Sequence, residues 1–454
     1  MAKLTHLSAR KAASLGIDVL LKKVNRNDRE EEMLKLVDIM EKFMEGDELA
    51  LDYDWIRGLV GDRQSALNGY INRGLDELDP HVIKTTALNL GFEAMLSGTK
   101  TMHAMRKEHE CNIPWLILMD PTSACNLHCT GCWAAEYGNK LNLTYDEMSD
   151  IVKQGKELGI HFYMFTGGEP LVRRDDIIKL CKEHNDCEFL AFTNGTLVDQ
   201  KFCDEMKSVG NLMLAISLEG SPEVNDFRRG EGVYGRVMDA MDLLKENGLI
   251  FGTSICYTSK NCESVTSREF IDLMVSKGCR YALYFHYMPV GNDASVELLP
   301  TPEQRIATKN RIRAIRNLEH GEGLFTMDFQ NDGEYMDGCI AGGRNYFHIN
   351  ANGDAEPCVF IHYSDSNIRE HSLLEILKRP LFMAYHDNQP FNENHLRPCP
   401  MLENPEILQR IVNETGVHST DLQSPESVEH LCGKCKPYAA SWKPSADKVW
   451  YGES

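Results

Sequence analysis

Asp120-Pro-Thr-Ser-Ala-Cys125-Asn-Leu-His-Cys129-Thr-Gly-Cys132-Trp-Ala134 gathers three thiols in one short stretch, spaced Cys-x3-Cys-x2-Cys. A cubane iron–sulfur cluster has four irons, and each ordinarily takes one thiolate. A loop offering three leaves one iron open to bind and activate a small molecule, whereas a fully ligated cluster can only pass electrons. Two other readings fit clustered cysteines, a zinc loop and buried thiols. Zinc takes four ligands, usually as two Cys-x-x-Cys pairs, and His128 inside the loop is a candidate fourth.

The loop directly follows Trp115-Leu-Ile-Leu-Met119, the first of six short apolar runs. The others are Phe162-Tyr-Met-Phe165, Phe189-Leu-Ala-Phe192, Leu212-Met-Leu-Ala-Ile-Ser217, residues 250–257, and Tyr281-Ala-Leu-Tyr-Phe285. Each has the length of a strand buried on both faces. Helical patterns lie between them, one opened by a capping box of Thr144 with Glu147 three residues on. Such alternation predicts an α/β fold of parallel strands joined by right-handed crossovers. Six units are too few to close an eight-stranded barrel, so an open, partial (βα)6 TIM-like barrel is expected. Ligands in these folds sit where loops leave the carboxyl ends of strands, which assigns the cysteine loop to that rim.

At 454 residues the chain has room for two or three domains. The predicted organisation is a helical N-terminal region over 1–110, the barrel over 111–320, and a small Cys-rich C-terminal domain over 321–454, where Gly, Pro, Asn and Cys break the strand–helix rhythm. Hydrophobic content of 42% and 26% charged residues describe an ordinary soluble globular protein. A net charge of −20 argues against an extended nucleic-acid footprint. No apolar run reaches membrane-spanning length, and the N-terminus lacks the apolar core of a secretion signal. Fifteen cysteines without an export signal point to a reducing cytoplasm, where clustered cysteines read as metal ligands. Residues 1–26 carry Lys3, Arg10, Lys11, Lys22, Lys23 and Arg26 against one acid, Asp18, with Leu4, Leu7, Leu15, Leu20 and Val24 near helical spacing. A basic amphipathic helix either lies on a membrane surface or, more commonly, packs on its own domain with its charges in water.

Further motifs follow the later strands. The second ends in Thr166-Gly-Gly-Glu-Pro170, whose glycines allow close backbone approach to a ligand and whose carboxylate can accept from an ammonium group. The third ends in Thr193-Asn-Gly195 and the fourth in Ser217-Leu-Glu-Gly220, followed by Asn225-Asp-Phe-Arg-Arg-Gly230. Taken with the cysteine loop, this series resembles the radical S-adenosylmethionine (SAM) superfamily. In that superfamily the residue before the third cysteine is often aromatic; here it is Gly131, with Trp133 after the cysteine, as in a known variant of the motif. The resemblance implies the same (βα)6 fold and a [4Fe-4S] cluster on Cys125, Cys129 and Cys132. It also implies SAM contacts from Gly167, Gly168, Glu169, Asn194, Ser217 and Arg229. Where the superfamily often carries Asp on the fourth strand, this chain has Glu219. Arg228 and Arg229 each have two readings, a guanidinium for the SAM carboxylate or an ion pair with Asp226.

Near the C-terminus, Cys339, Gly353 and Cys358 form Cys-x13-Gly-x4-Cys. Tyr346-Phe-His-Ile349 reads as a strand and Asn352-Gly353 as a hairpin turn, which returns Cys358 beside Cys339. Cys432-Gly-Lys-Cys435 adds a pair, giving a four-thiolate site that suits either a cluster or zinc, and Cys399 in Arg-Pro-Cys-Pro is an alternative ligand. The arrangement resembles the auxiliary-cluster domains called twitch and SPASM, in the shorter, one-cluster form. Cys111, Cys181, Cys187, Cys203, Cys256, Cys262 and Cys279 lie on strand or helix patterns and read as core.

The resemblance implies an oxidoreductase- or transferase-type enzyme with SAM, a SAM-binding [4Fe-4S] cluster and an auxiliary [4Fe-4S] cluster. It also implies a flavodoxin- or ferredoxin-type electron donor. Its substrate would be a peptide or a small molecule undergoing oxidation or C–C bond formation. The basic N-terminus and the apolar stretch 87–96 motivate a lipid or isoprenoid as the rival. A non-catalytic redox or zinc-binding scaffold is the remaining alternative, and it has no use for Gly-Gly-Glu-Pro after the second strand.

Overall fold

Strand β1 (Leu116–Met119), which launches the cysteine loop, lies inside the sheet with a parallel neighbour on each side. The computed structural model describes residues 2–23, 29–44 and 52–452. After β1 come β2 (Phe162–Phe165), β3 (Glu188–Thr193), β4 (Leu212–Ser217), β5 (Phe251–Tyr257), β6 (Tyr281–His286), β7 (Phe325–Asp328), β8 (Tyr346–Ile349) and β9 (Ala355–Glu356). They form one nine-stranded sheet in the order β7-β6-β5-β4-β3-β2-β1-β8-β9, an open α/β partial barrel. All pairings are parallel except the β8–β9 hairpin, in which His348 faces Glu356 and Ile349 faces Ala355.

The six apolar runs are β1 to β6. Two further parallel strands extend the sheet at either side. β7 escapes an apolar-run criterion because the two residues it buries, Thr326 and Asp328, are polar, while Phe325 and Met327 face solvent at the edge of the sheet. β8 is legible as half of a hairpin, but its parallel register on β1, Leu116 opposite Tyr346, is a tertiary fact. The sheet therefore runs on beyond residue 320 and takes in the hairpin between Cys339 and Cys358.

Alternate residues of each strand serve two cores, as the two-residue period requires. Ile117, Tyr163, Phe165, Phe189, Leu214 and Ile216 pack beneath the outer helices. Phe162, Leu190, Met213, Ala215 and Tyr281 point to the barrel interior. The helix Tyr145–Glu157 on the outer layer begins with the expected capping box: Glu147 N donates to Thr144 Oγ1 at 3.2 Å, and Thr144 N donates to Glu147 Oε2 at 2.7 Å.

The stretch 87–96 lies within a wide helix, Ala87–Gly98, that plugs the lower mouth of the barrel. Ala94 joins the interior cluster, and its carbonyl accepts from Trp115 Nε1 at 3.3 Å. Gly98 abuts Gly159 so closely that a Cβ would lie 2.3 Å from its carbonyl oxygen. This apolarity is used by the protein's own core and gives no support to a lipid site. Helix Ala2–Lys23 lies on the plug through a polar seam, with Arg10 Nε 2.6 Å from Glu93 Oε1, His6 Nε2 2.9 Å from Glu93 Oε2 and Lys84 Nζ 2.7 Å from Asp18. Leu7, Leu15 and Val19 remain exposed, while Val24 and Arg26 lie outside the described residues.

Candidate active site

The cysteine loop is moored to the loop after β2 by backbone hydrogen bonds. Gly168 N donates to Thr122 O at 2.9 Å and Glu169 N to Ala124 O at 2.8 Å. The two glycines are what let these loops touch. A Cβ on Gly168 would stand 2.2 Å from Ala124 O; one on Gly167, whose φ is +102°, would stand 2.5 Å from Thr122 O. Their close approach is to the cysteine loop itself. Cys125 is exposed, and Cys129 and Cys132 are half-buried. Desolvation, with Glu169 and the two neighbouring thiols adding to it, pushes the Cys125 thiol up to about 11. Gly131 adopts φ +67°, and the space beside it is filled from the end of β6 by Tyr287, whose ring lies 3.1 Å from where a Cβ would be.

Glu169 is almost fully buried. Its Oε1 accepts from Thr193 Oγ1 at 2.6 Å and Leu171 N at 3.0 Å, and its Oε2 accepts from Asn194 N at 2.8 Å. Burial raises its carboxyl pKa against those hydrogen bonds. Asn194 reaches the cysteine loop, donating to Asn126 Oδ1 at 2.8 Å, while Ser217 ends β4 half-buried. Arg228 and Arg229 both pair with Glu219, which is fully buried, at 2.5 Å each. The alternative pairing with Asp226 is not formed; Asp226 accepts from Gly232 N and Tyr234 N instead. Arg229 Nη1 lies 4.0 Å from Cys129 Sγ, and Glu219 Oε2 has no partner. A guanidinium pair, an orphaned buried oxygen and three thiols thus share one rim.

On the far side of β1, the β8–β9 hairpin brings Cys358 to Cys339 as the spacing requires, with Gly353 at φ +83° in the turn. Both thiols line one apolar cavity together with Cys399, Met288, Phe329 and Phe360. Burial pushes Cys339 up to about 12 and Cys358 to about 11. Cys432 and Cys435 lie fully buried on helix Val428–Tyr451 and do not line that cavity. Tyr385 stands within electrostatic range of Cys339, Cys358, Cys399 and Cys432, so the helix approaches the same centre. Of the other seven cysteines six are buried; Cys256 is half-buried at the end of β5, close to Arg228. Among the described residues no three His, Cys, Asp or Glu side chains converge as a single-ion site.

The radical SAM superfamily profile matches residues 119–261, and that of an iron–sulfur cluster-binding domain, SPASM, matches residues 339–401. The chain thus carries a radical SAM domain followed by a SPASM domain. Its relatives include the AdoMet-dependent heme synthase of Methanosarcina barkeri, 24% identical over 351 residues that cover 72% of this chain and 89% of that one. The PqqA peptide cyclase of Granulibacter bethesdensis is 26% identical, over 65% of this chain and 81% of its own. Streptococcus suis SuiB bound to S-adenosylmethionine shares the fold with a TM-score of 0.56 at 19% identity, covering 73% of this chain and 81% of that one.

The cofactors of this radical SAM protein are SAM, a [4Fe-4S] cluster that binds it, and an auxiliary cluster. The donor set fits them: a trio of thiols on the barrel rim, one exposed and two half-buried, and a second set of thiols around an apolar cavity. Sequence reasoning missed what joins the two. Asp120, His348 and Glu356 are fully buried in a row, with His348 Nε2 2.9 Å from Asp120 Oδ1 and His348 Nδ1 2.6 Å from Glu356 Oε2. Tyr137 and Thr420 donate to Glu356, and His362 pairs with Asp421 at 2.5 Å beside the Tyr137 ring. Trp133, directly after Cys132, packs edge-on to His348, Phe360 and His362. No linear signal connects Asp120 with a histidine 228 positions away.

Proposed function

We propose that the protein cleaves SAM at the Cys125, Cys129 and Cys132 cluster to oxidise a small organic substrate, with the auxiliary centre taking up the electron left behind. What carries this reading is the stacking of Gly167-Gly168 on the loop that presents the three thiols. That contact supports a SAM-binding motif and an incompletely ligated cluster sharing one rim. When bound, these cofactors supply a 5′-deoxyadenosyl radical that abstracts hydrogen from an unactivated C–H bond. The chain's residues orient and enclose. The Gly167-Gly168 backbone and Glu169 meet the SAM amino end, and Arg229 offers a guanidinium to the carboxylate. Asn194 and Ser217 line the wall, and Glu219 holds both arginines in place. Cys339, Cys358 and Cys399 hold the auxiliary cluster, with the fourth thiolate from the Cys432–Cys435 pair. The heme synthase relative, matched over most of both chains, supports a small-molecule substrate. A peptide substrate is the second reading, favoured by the peptide cyclase relative. The reductant would be a flavodoxin- or ferredoxin-type protein. No helix among the described residues is long and apolar enough to cross a membrane.

Anaerobically reconstituted protein given dithionite and SAM is expected to release 5′-deoxyadenosine and to contain about eight irons, as two cubanes require. The Cys125→Ala, Cys129→Ala, Cys132→Ala variant should lose the product and about four irons. The Cys339→Ala, Cys358→Ala variant should lose the other four yet still cleave SAM. Cleavage by the triple variant, or stoichiometric zinc in the parent, defeats the assignment. Incubation with a metalloporphyrin carboxylate against a precursor-peptide panel decides between the substrate classes.

A further inference from the structure

We propose that Tyr346 sets the reduction potential of the auxiliary cluster through an O–H···S hydrogen bond to Cys358, an inference that rests on Cys358 being one of that cluster's ligands. Tyr346 Oη lies 2.8 Å from Cys358 Sγ, and both residues are buried. In a free thiol either atom can donate. Once the sulfur is a metal-bound thiolate it has no proton, so the phenol must be the donor. A hydrogen bond to a cluster sulfur draws negative charge off the thiolate and favours the reduced, more negative state, which raises the potential. Reduction adds one electron to the cluster and breaks no bond.

The surroundings make this bond strong and fixed. Tyr346 opens β8, where its backbone is held in register opposite Leu116. The ring is met edge-on by Phe329 at 5.8 Å, and Phe329 is braced by Phe360 and Phe285. Met288, Phe329, Ile340, Phe360 and Pro398 line the same cavity as the thiols, and in such low-dielectric surroundings a hydrogen bond gains electrostatic strength. Cys399 has a donor too, Leu402 N at 3.4 Å, but that is a backbone group that only proline would remove. Tyr346 is therefore the side-chain lever on this centre.

The test is Tyr346→Phe in the full chain, reconstituted anaerobically and titrated potentiometrically by electron paramagnetic resonance. The expected variant keeps the parent's iron and sulfide. Its auxiliary midpoint moves negative by roughly a tenfold change in the reduced-to-oxidised ratio, equivalent to about 59 mV for a one-electron couple. The midpoint of the Cys125-loop cluster is the internal reference and stays put. An exchangeable proton coupled to the reduced auxiliary cluster, seen by electron–nuclear double resonance after transfer to D2O, is present in the parent and absent in the variant. An unmoved auxiliary midpoint at full iron content overturns the proposal. So does loss of the auxiliary iron, which would make Tyr346 a support rather than a tuning residue. If the ligand assignment itself is wrong, Cys339→Ala, Cys358→Ala protein keeps the parent's iron, a result read without reference to Tyr346.

Discussion

Replacing His348 by glutamine removes the one cation between two carboxylates that have no water to turn to. Asp120, His348 and Glu356 are all fully buried, and the imidazole bridges them at 2.9 and 2.6 Å. Glutamine keeps a hydrogen bond to one carboxylate but brings no charge. Removing one partner from a buried ion pair costs about 3–5 kcal/mol, because the charge left behind is uncompensated. At about 1.4 kcal/mol per tenfold, that is about two to three and a half orders of magnitude in local opening. The opening falls on β1 and β8, which carry the bridge. Burial alone would push His348 down, but Asp120 and Glu356 outweigh it and raise its pKa to about 10. A histidine raised in the folded state contributes fully below its unfolded value of about 6.5, and the contribution is lost as pH rises through the folded value. Protection factors across β1 and β8, taken from hydrogen–deuterium exchange after division by the base-catalysed intrinsic rate, should therefore fall between pH 7 and 10 in the parent. The His348→Gln protein should be weakly protected at pH 7, and its protection factors should lack that alkaline fall. Equal protection in the two proteins at pH 7, or the same alkaline slope, would refute the account of the bridge.

Gly168→Ala should push Ala124 off the second loop, since its Cβ would lie 2.2 Å from Ala124 O; the expected result is about four irons in place of eight, with the auxiliary centre's spectrum retained. Full iron content in that variant would show that the loops tolerate separation. Glu169→Gln should weaken SAM binding by about ten- to a hundredfold, the worth of a charge-assisted hydrogen bond of about 1.5–3 kcal/mol, with iron content unchanged; calorimetry showing an equal Kd removes Glu169 from the SAM site. Glu188, fully buried with only Thr86 donating to its carboxylate among the described residues, has its carboxyl pushed up to about 8 by desolvation. The folded state then binds a proton that the unfolded chain has released, so stability falls with rising pH between about 4.5 and 8, at up to about 1.4 kcal/mol per pH unit. Denaturant titrations of Glu188→Gln should lose that slope, and an unchanged slope would place the proton elsewhere.

Much of this protein is legible in its chain order because its chemistry is local. Three thiols on one loop, two glycines after the next strand, and a hairpin between Cys339 and Cys358 are each short-range patterns, and β1 to β6 announce themselves as continuous apolar runs. Strand β7 does not, because the residues it buries, Thr326 and Asp328, are polar. Other features required the tertiary structure. Glu219 collects Arg228 and Arg229, Cys399 enters the cavity of Cys339 and Cys358, Tyr287 fills the space beside Gly131, and β8 lies parallel to β1. The His348 bridge is the sharpest case. Its members come from a strand end, a second strand and the hairpin after it, and they meet only because β1 and β8 are neighbours. Sequence periodicity reports which residues seek burial, so it reveals strands and loop motifs. Which buried charge meets which depends on strand order across the sheet, and that is settled only when the chain packs.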